Sequence, residues 1–350
     1  MQHEIEALTL VVARDFEADA GLQEHQDRKG CDGAIGNCYC HTERLRPERG
    51  WQGLMDAHAL VIGVACLAWV TTLRPAVSDR DTLEVTRDAV AWIRANKDTR
   101  FFAFCNYNSP HEPWEPPERF LERVPPPPHG PKDSVTRRYM AEAAKDDEAV
   151  GQLLSTLEET GLSERTIVIV TADHGETLSA AHGGTGLDNM PIRYHHAASN
   201  FEETTRIPIL IVAPGLLPGG REVSQRIRNT DIVPTLVELL GLEPSPKMSG
   251  KSLVALSRTG KEEGERVVVS EGRATRAIIA GHHRLLVREA GGRLAPTTDD
   301  HGAPVGSESL YDLDADPGER VNLASKDPAT VREMRARLEA ALKNVPVAGS

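Results

Sequence analysis

Every residue from Thr166 to Thr171 is β-branched, and the run passes through the small Ala172 straight into the polar Asp173-His174-Gly175-Glu176. A continuous apolar run of this length and type predicts a strand covered on both faces, as in a parallel sheet. Upstream, Leu83, Val85, Ala89, Val90 and Ile93 recur at helical spacing between Thr82 and Ala95, leading into a strand that starts near Phe101. Tyr139 to Thr160 reads as an amphipathic helix ended by Gly161, which hands over to the β-branched run. Pro113 to Pro131 reads as a proline-rich loop. The segment Arg206-Ile-Pro-Ile-Leu-Ile-Val-Ala-Pro-Gly215 passes from polar loop to strand to turn, and Asn229 to Gly241 is a helix with Pro234 in its first turn and Gly241 as its stop. After a polar linker with Pro244, Pro246 and Gly250, the runs Arg266–Ser270, Ala277–Ala280 and Arg284–Val287 predict an antiparallel meander. A helix from about Pro328 to Lys343 closes it, and Ala290 to Ser307 reads as a flexible loop. The fold class is therefore α/β, with residues 1–250 as the main domain and 251–350 as a smaller α+β subdomain.

Chemistry gathers where the β-branched run ends, because residues just past the carboxyl end of such a strand face the ligand crevice. Asp173 offers a hard carboxylate oxygen, His174 an imidazole nitrogen, and Gly175 permits close backbone approach. A divalent cation suits that pair, with Glu176 as a hydrogen-bonding support. The plain alternative is that Asp173 caps a following helix and His174 is a satisfied half-buried side chain. Other segments accompany the pair in order: the strand ending in Asn108-Ser-Pro-His111, the segment Glu202-Glu-Thr-Thr-Arg-Ile-Pro208, and Leu310-Tyr-Asp-Leu-Asp-Ala-Asp-Pro-Gly-Glu319 near the end.

As an ordered set, these motifs resemble the sulfatase family of the alkaline-phosphatase superfamily over roughly residues 82–345. The resemblance implies an alkaline-phosphatase-like α/β/α sandwich and hydrolysis of a sulfate ester, small-molecule or glycan, in a calcium (Ca2+) site. Asp173 and His174 match the metal ligands, and His111 matches the histidine at the sulfate or its leaving group. A cation would neutralise sulfate oxygens while a histidine protonates the departing alkoxide. The family nucleophile is a formylglycine made from cysteine. The segment with the right Cys-to-Arg spacing is Cys40-His-Thr-Glu-Arg44, followed by Gly50, but Thr42 stands for the family proline and Glu43 for its serine.

Other departures also lie in the first hundred residues. Asp15 and Asp19 are not the adjacent acidic pair that completes the family's metal site, and no segment between Gly50 and Thr82 matches its sulfate-binding lysine and histidine. His196, or its neighbour His195, precedes the Phe201-Glu202 pair and matches a position from which a histidine approaches the anion; His182 follows the metal motif in a loop. His129 and His282-His283 carry no ligand spacing. Two further readings stay open: a phosphodiester or phosphonate hydrolase of the same superfamily, and a catalytically inactive sulfatase-like fragment.

With 350 residues, of which 39% are hydrophobic, the chain is long enough for a large core. The net charge of −12, with no basic stripe, excludes nucleic acid and anionic membrane as general partners. An anionic substrate would then be held by the metal and by local cations such as Arg193 or Arg206, the latter expected to pair structurally with a carboxylate. Cys31, Cys38, Cys40 and His41 match no common zinc spacing, and the count of five cysteines leaves at least one free thiol, as suits a reducing compartment. Met1-Gln-His-Glu-Ile-Glu lacks a basic, apolar leader, so the sequence as given reads as cytoplasmic, and as periplasmic or secreted if the N-terminus is incomplete. Leu54 to Leu73, which contains Asp56 and His58, falls short of the roughly twenty apolar residues of a spanning helix. Oligomeric state is not legible.

Overall fold

The computed structural model describes residues 6–14 (backbone alone), 81–111, 113–126, 134–177, 200–262, 264–272, 275–288 and 308–343. In chain order the elements are β1 (Glu6–Arg14), α1 (Thr82–Ala95), β2 (Phe102–Asn106), α2 (Glu118–Leu121), α3 (Val135–Glu159), β3 (Thr166–His174), α4 (Glu202–Thr205) and β4 (Ile209–Val212). Next come α5 (Ile232–Leu239), α6 (Val254–Thr259), β5 (Val268–Glu271), β6 (Thr275–Ala280), β7 (His283–Arg288), β8 (Glu308–Asp312) and α7 (Pro328–Lys343).

Local sequence sets most of these boundaries. Asp81 accepts the Leu83 amide at the start of α1, and Ser134 accepts the Arg137 amide at the start of α3. Each such cap is worth about 1 kcal/mol. At the other end of α3, Gly161 adopts φ +70°, and the amides of Gly161 and Leu162 return to the carbonyls of Glu158 and Leu157. This paired pattern closes a helix through a left-handed residue, a conformation that a Cβ would strain. The expected proline-rich loop contains a short helix, α2, because Phe120 and Leu121 find a buried seat with Val124 and Ala141.

The first sheet has the order β2-β1-β3-β4, and every neighbouring pair is antiparallel. This corrects the expected parallel sheet. β2 and β3 do run the same way, as a strand–helix–strand crossover through α3 demands, but β1 lies between them in the opposite direction. The β-branched run of β3 specified coverage on both faces, which it has, and carried no information on the direction of its neighbours. Val168 joins Ala89, Ile93, Ala149 and Leu153 of α1 and α3 on one face, while Ile167 and Ile169 join Leu236, Leu239 and Val254 of α5 and α6 on the other. Helices thus cover both faces, giving an α/β/α sandwich.

The second sheet runs β5-β6-β7-β8, again antiparallel. It is the expected meander, with the Leu310-Tyr311-Asp312 segment supplying a further strand. Ile278, Leu285 and Leu310 pack on Val331, Met334 and Leu338 of α7, and the opposite face packs Ala277, Leu286 and Tyr311 on Phe201. Among the described residues no helix is long and apolar enough to cross a membrane.

Candidate active site

Asp173 and His174 sit at the tip of β3, where its burial ends: the strand is covered through Ala172, Asp173 is exposed and His174 half-buried. The His174 amide donates to Asp173 Oδ1 at 2.9 Å, and His174 Nδ1 lies 2.9 Å from the Gly175 carbonyl. In the tautomer that donates this bond, Nε2 carries the lone pair. That nitrogen is 3.7 Å from Asp173 Oδ2, a separation that two ligands of one cation can share. The donor set, one carboxylate and one imidazole, therefore fits part of a divalent-cation shell. Among the described residues, no third histidine, cysteine or acidic side chain joins them in a cluster tight enough for one ion.

The backbone below the pair is held from two directions. The Asn229 side chain donates to the Ala172 carbonyl at 3.2 Å, and Thr171 Oγ1 donates to Pro208 O at 2.9 Å. Gly175 donates its amide to Thr204 O at 2.9 Å, and a Cβ there would lie 2.2 Å from the Glu203 carbonyl oxygen, so α4 can approach only a glycine. Helix α4 is in turn clamped by buried charge. Arg284 of β7 pairs with Glu202, donates to the Asn200 carbonyl at 2.6 Å and lies 3.3 Å from Glu319, while Glu319 accepts the Glu202 amide at 2.7 Å. Arg226 also reaches Glu202, at 3.3 Å. The second sheet is thus tied through α4 to the tip of β3 that carries Asp173 and His174. Arg206, expected to be the ion-paired member of this motif, instead ends α4 facing solvent, with no carboxylate partner among the described residues. The motif's ion-paired charge is the half-buried Glu202.

His111 leaves the same end of the first sheet. Asn106, the last residue of β2, stands opposite Thr9 of β1, and Thr9 stands opposite Thr171 of β3. Two strand spacings, roughly 10 Å, separate the two exits. The half-buried His111 donates its amide to Asn108 O at 2.9 Å, and the Ser109–Pro110 bond before it is cis. Ser109 Oγ donates to Glu142 Oε2 at 2.5 Å, which fastens this loop to a buried ionic group on α3. There Lys145 contacts Glu142 and lies 3.2 Å from Asp81, and Thr82 donates to Asp146 at 2.8 Å. Burial opposes the charge of Lys145, but the Glu142 and Asp81 carboxylates outweigh it and raise its pKa. Burial pushes the Asp146 carboxyl well above the usual range, against the Thr82 hydrogen bond and the Lys145 charge.

The candidate residues Cys40 and His196, together with Asp15, Asp19, His182, Arg193, His195 and the Cys31–Cys38–His41 cluster, lie outside the described residues, as do Leu54 to Leu73 and the Ala290–Ser307 loop. Strand β1 ends at Arg14, opposite Thr166, and its residue opposite His174 is Glu6.

A family model described as Sulfatase matches residues 29–242, more than half of the chain. The chain belongs to the sulfatase family. The match begins ahead of Cys40, so it takes in part of the atypical N-terminal region. Among characterised sulfatases, the chain is 29% identical over 61% of its length to arylsulfatase K of Xenopus laevis, covering 38% of that protein. It is 29% identical over 91% of its length to an ulvan-active sulfatase of Formosa agariphila, covering 62% of it, and 32% identical over 57% to the choline-sulfatase of Rhizobium meliloti, covering 36%. The chain thus spans less than two thirds of the length of these relatives. The phosphonate monoester hydrolase of Agrobacterium radiobacter superposes with a TM-score of 0.58 over 76% of this chain and 61% of the other at 20% identity, a likeness of fold. Within this sulfatase fold, the pairing of Arg284, Glu202 and Glu319 is not legible in the sequence because it joins distant segments; the Glu202–Pro208 and Asp-Pro-Gly-Glu319 motifs are its visible signals.

Proposed function

We propose that this sulfatase-family chain hydrolyses a sulfate ester, small-molecule or glycan, at a divalent-cation site, taken as calcium, built on Asp173 and His174. The organisation assumed is an α/β body of residues 1–250 and a smaller subdomain of residues 251–350. The observation that carries the reading is the strand register, which brings the His111 loop and the Asp173–His174 tip out at one end of one sheet. A cation held there would neutralise the ester's anionic oxygens and acidify the attacking hydroxyl. Asp173 Oδ2 and His174 Nε2 would hold it, while the Gly175 carbonyl fixes the imidazole and α4 fixes the backbone. His111 would deliver a proton to the departing alkoxide, oriented by the Ser109–Glu142 anchor. Cys40, converted to formylglycine, would serve as nucleophile, and His196 would face the anion. The polysaccharide in the name of the Formosa agariphila relative, similar along most of this chain, supports the glycan part of the reading.

A second reading, hydrolysis of a phosphonate or phosphodiester, draws support from the phosphonate monoester hydrolase neighbour. Turnover of an aryl sulfate and an aryl phosphonate by the full chain with calcium separates the readings. The sulfate ester is expected to be preferred, with His111→Ala reducing its rate about a hundredfold or more. A preference for the phosphonate would favour the second reading, and a chain inert to both, with its Cys40 peptide showing an intact thiol by mass spectrometry, would overturn both.

A further inference from the structure

The turn between β6 and β7 carries two adjacent histidines that the sulfatase reading leaves unused. His282 lies in the turn and His283 opens β7, standing opposite Asp312 at the end of β8. The Leu313 amide donates to the His282 carbonyl at 2.8 Å and ties the turn to the exit of that strand. His282 Nε2 is 4.0 Å from Asp312 Oδ2, and the two imidazole centroids are 4.0 Å apart. One ligand atom from each of the three side chains lies within 4.8 Å of the others. Asp312 Oδ1 accepts the amides of Asp314 and Ala315, each at 3.0 Å, which fixes the carboxylate with Oδ2 toward His282. At 4.0 Å the His282–Asp312 pair is too long for a hydrogen bond and is at the outer reach of an ion pair that forms only with a protonated imidazole.

We propose that His282, His283 and Asp312 form a second cation site, distinct from the Asp173–His174 tip, that takes a zinc-class divalent ion. Two imidazoles with one carboxylate select zinc, cobalt, nickel or copper over calcium, which prefers an all-oxygen shell. Ligands at about 2.0–2.2 Å from a tetrahedral centre stand roughly 3.3–3.6 Å apart, so closure needs side-chain movement of about an ångström. The His282 side chain is 49% exposed and that of Asp312 28%, which leaves an approach from solvent and room for a water ligand. The Asp312 carboxylate is already oriented by backbone amides, as ligating carboxylates are by their outer partners. A bound ion would join the β6–β7 turn to the end of β8, a structural clip for the second sheet.

Cobalt titration of the full chain, followed by visible absorption and by bound metal per chain, tests this. The wild type is expected to bind one equivalent more than the His282→Ala/His283→Ala variant, and Asp173→Ala is expected to keep that equivalent. Zinc should raise the Tm of the wild type by a few degrees and leave the double variant unmoved. Should the double variant fail to fold, His282→Gln, at an exposed turn position, carries the same readout. Equal cobalt stoichiometry in wild type and variant, or a cobalt signal that vanishes with Asp173→Ala and survives His282→Ala/His283→Ala, would overturn the proposal.

Discussion

Two imidazole–carboxylate groupings lie at the ends of the two sheets, and they are built in opposite ways. Asp173 and His174 are neighbours on one strand, at the end of a doubly covered core, and the backbone beneath them is braced by Gly175 against α4 and by the buried Arg284–Glu202–Glu319 clamp. His282, His283 and Asp312 come from one turn and the ends of two strands, are partly exposed, and depend on little beyond the register of one hairpin and its neighbour. A site held by long-range buried charge loses its geometry when a distant residue changes. A site held by local register responds only to its own ligands.

The largest expected effect is on that clamp. Arg284→Ala would leave the buried Glu319 without its arginine and Glu202 with Arg226 alone, and is expected to cost about 3–5 kcal/mol in urea unfolding. Calcium response at the β3 tip should fall with it. Loss of the cobalt equivalent at His282 without change at the tip would mean that the clamp serves the second sheet alone. Gly175→Ala comes next: a Cβ at 2.2 Å from the Glu203 carbonyl must push α4 away, at roughly 1–3 kcal/mol, with the same selectivity for the tip.

A smaller effect belongs to Asp146, whose Oδ2 is buried without a hydrogen-bond partner. Its folded pKa is raised, so stability is full below the ordinary carboxylate value and declines as pH rises through the folded value. Asp146→Asn is therefore expected to raise stability by about 1 kcal/mol at neutral pH, with no gain near pH 3. An equal change at both pH values would show that the carboxyl is not the titrating group. The smallest effect is that of Asp173→Ala without added cation, within about 0.5 kcal/mol of wild type by thermal unfolding, because the side chain is 58% exposed.

The apolar pattern carried most of the elements. The helices at Thr82–Ala95 and Pro328–Lys343 stand where the spacing put them, and the glycine stop of α3 was legible because a left-handed closure needs that residue. The β-branched run gave β3 and its coverage, and the motif order gave the family. Strand direction was not legible, since hydrophobic content is the same for either neighbour and β1 inserts from a distant part of the chain. The short helix α2, seated through Phe120 and Leu121, is hidden among prolines, and the structural arginine is Arg284 rather than Arg206. The His282–His283–Asp312 cluster was invisible to spacing because its third member arrives through the β7–β8 register.

The most direct test of the central claim, that the β3 tip holds a divalent cation, is calcium titration by isothermal calorimetry on wild type, Asp173→Ala and His282→Ala. The account predicts heat of binding in the wild type and in His282→Ala and its loss in Asp173→Ala. Equal calcium binding by wild type and Asp173→Ala, or none in the wild type, would contradict it.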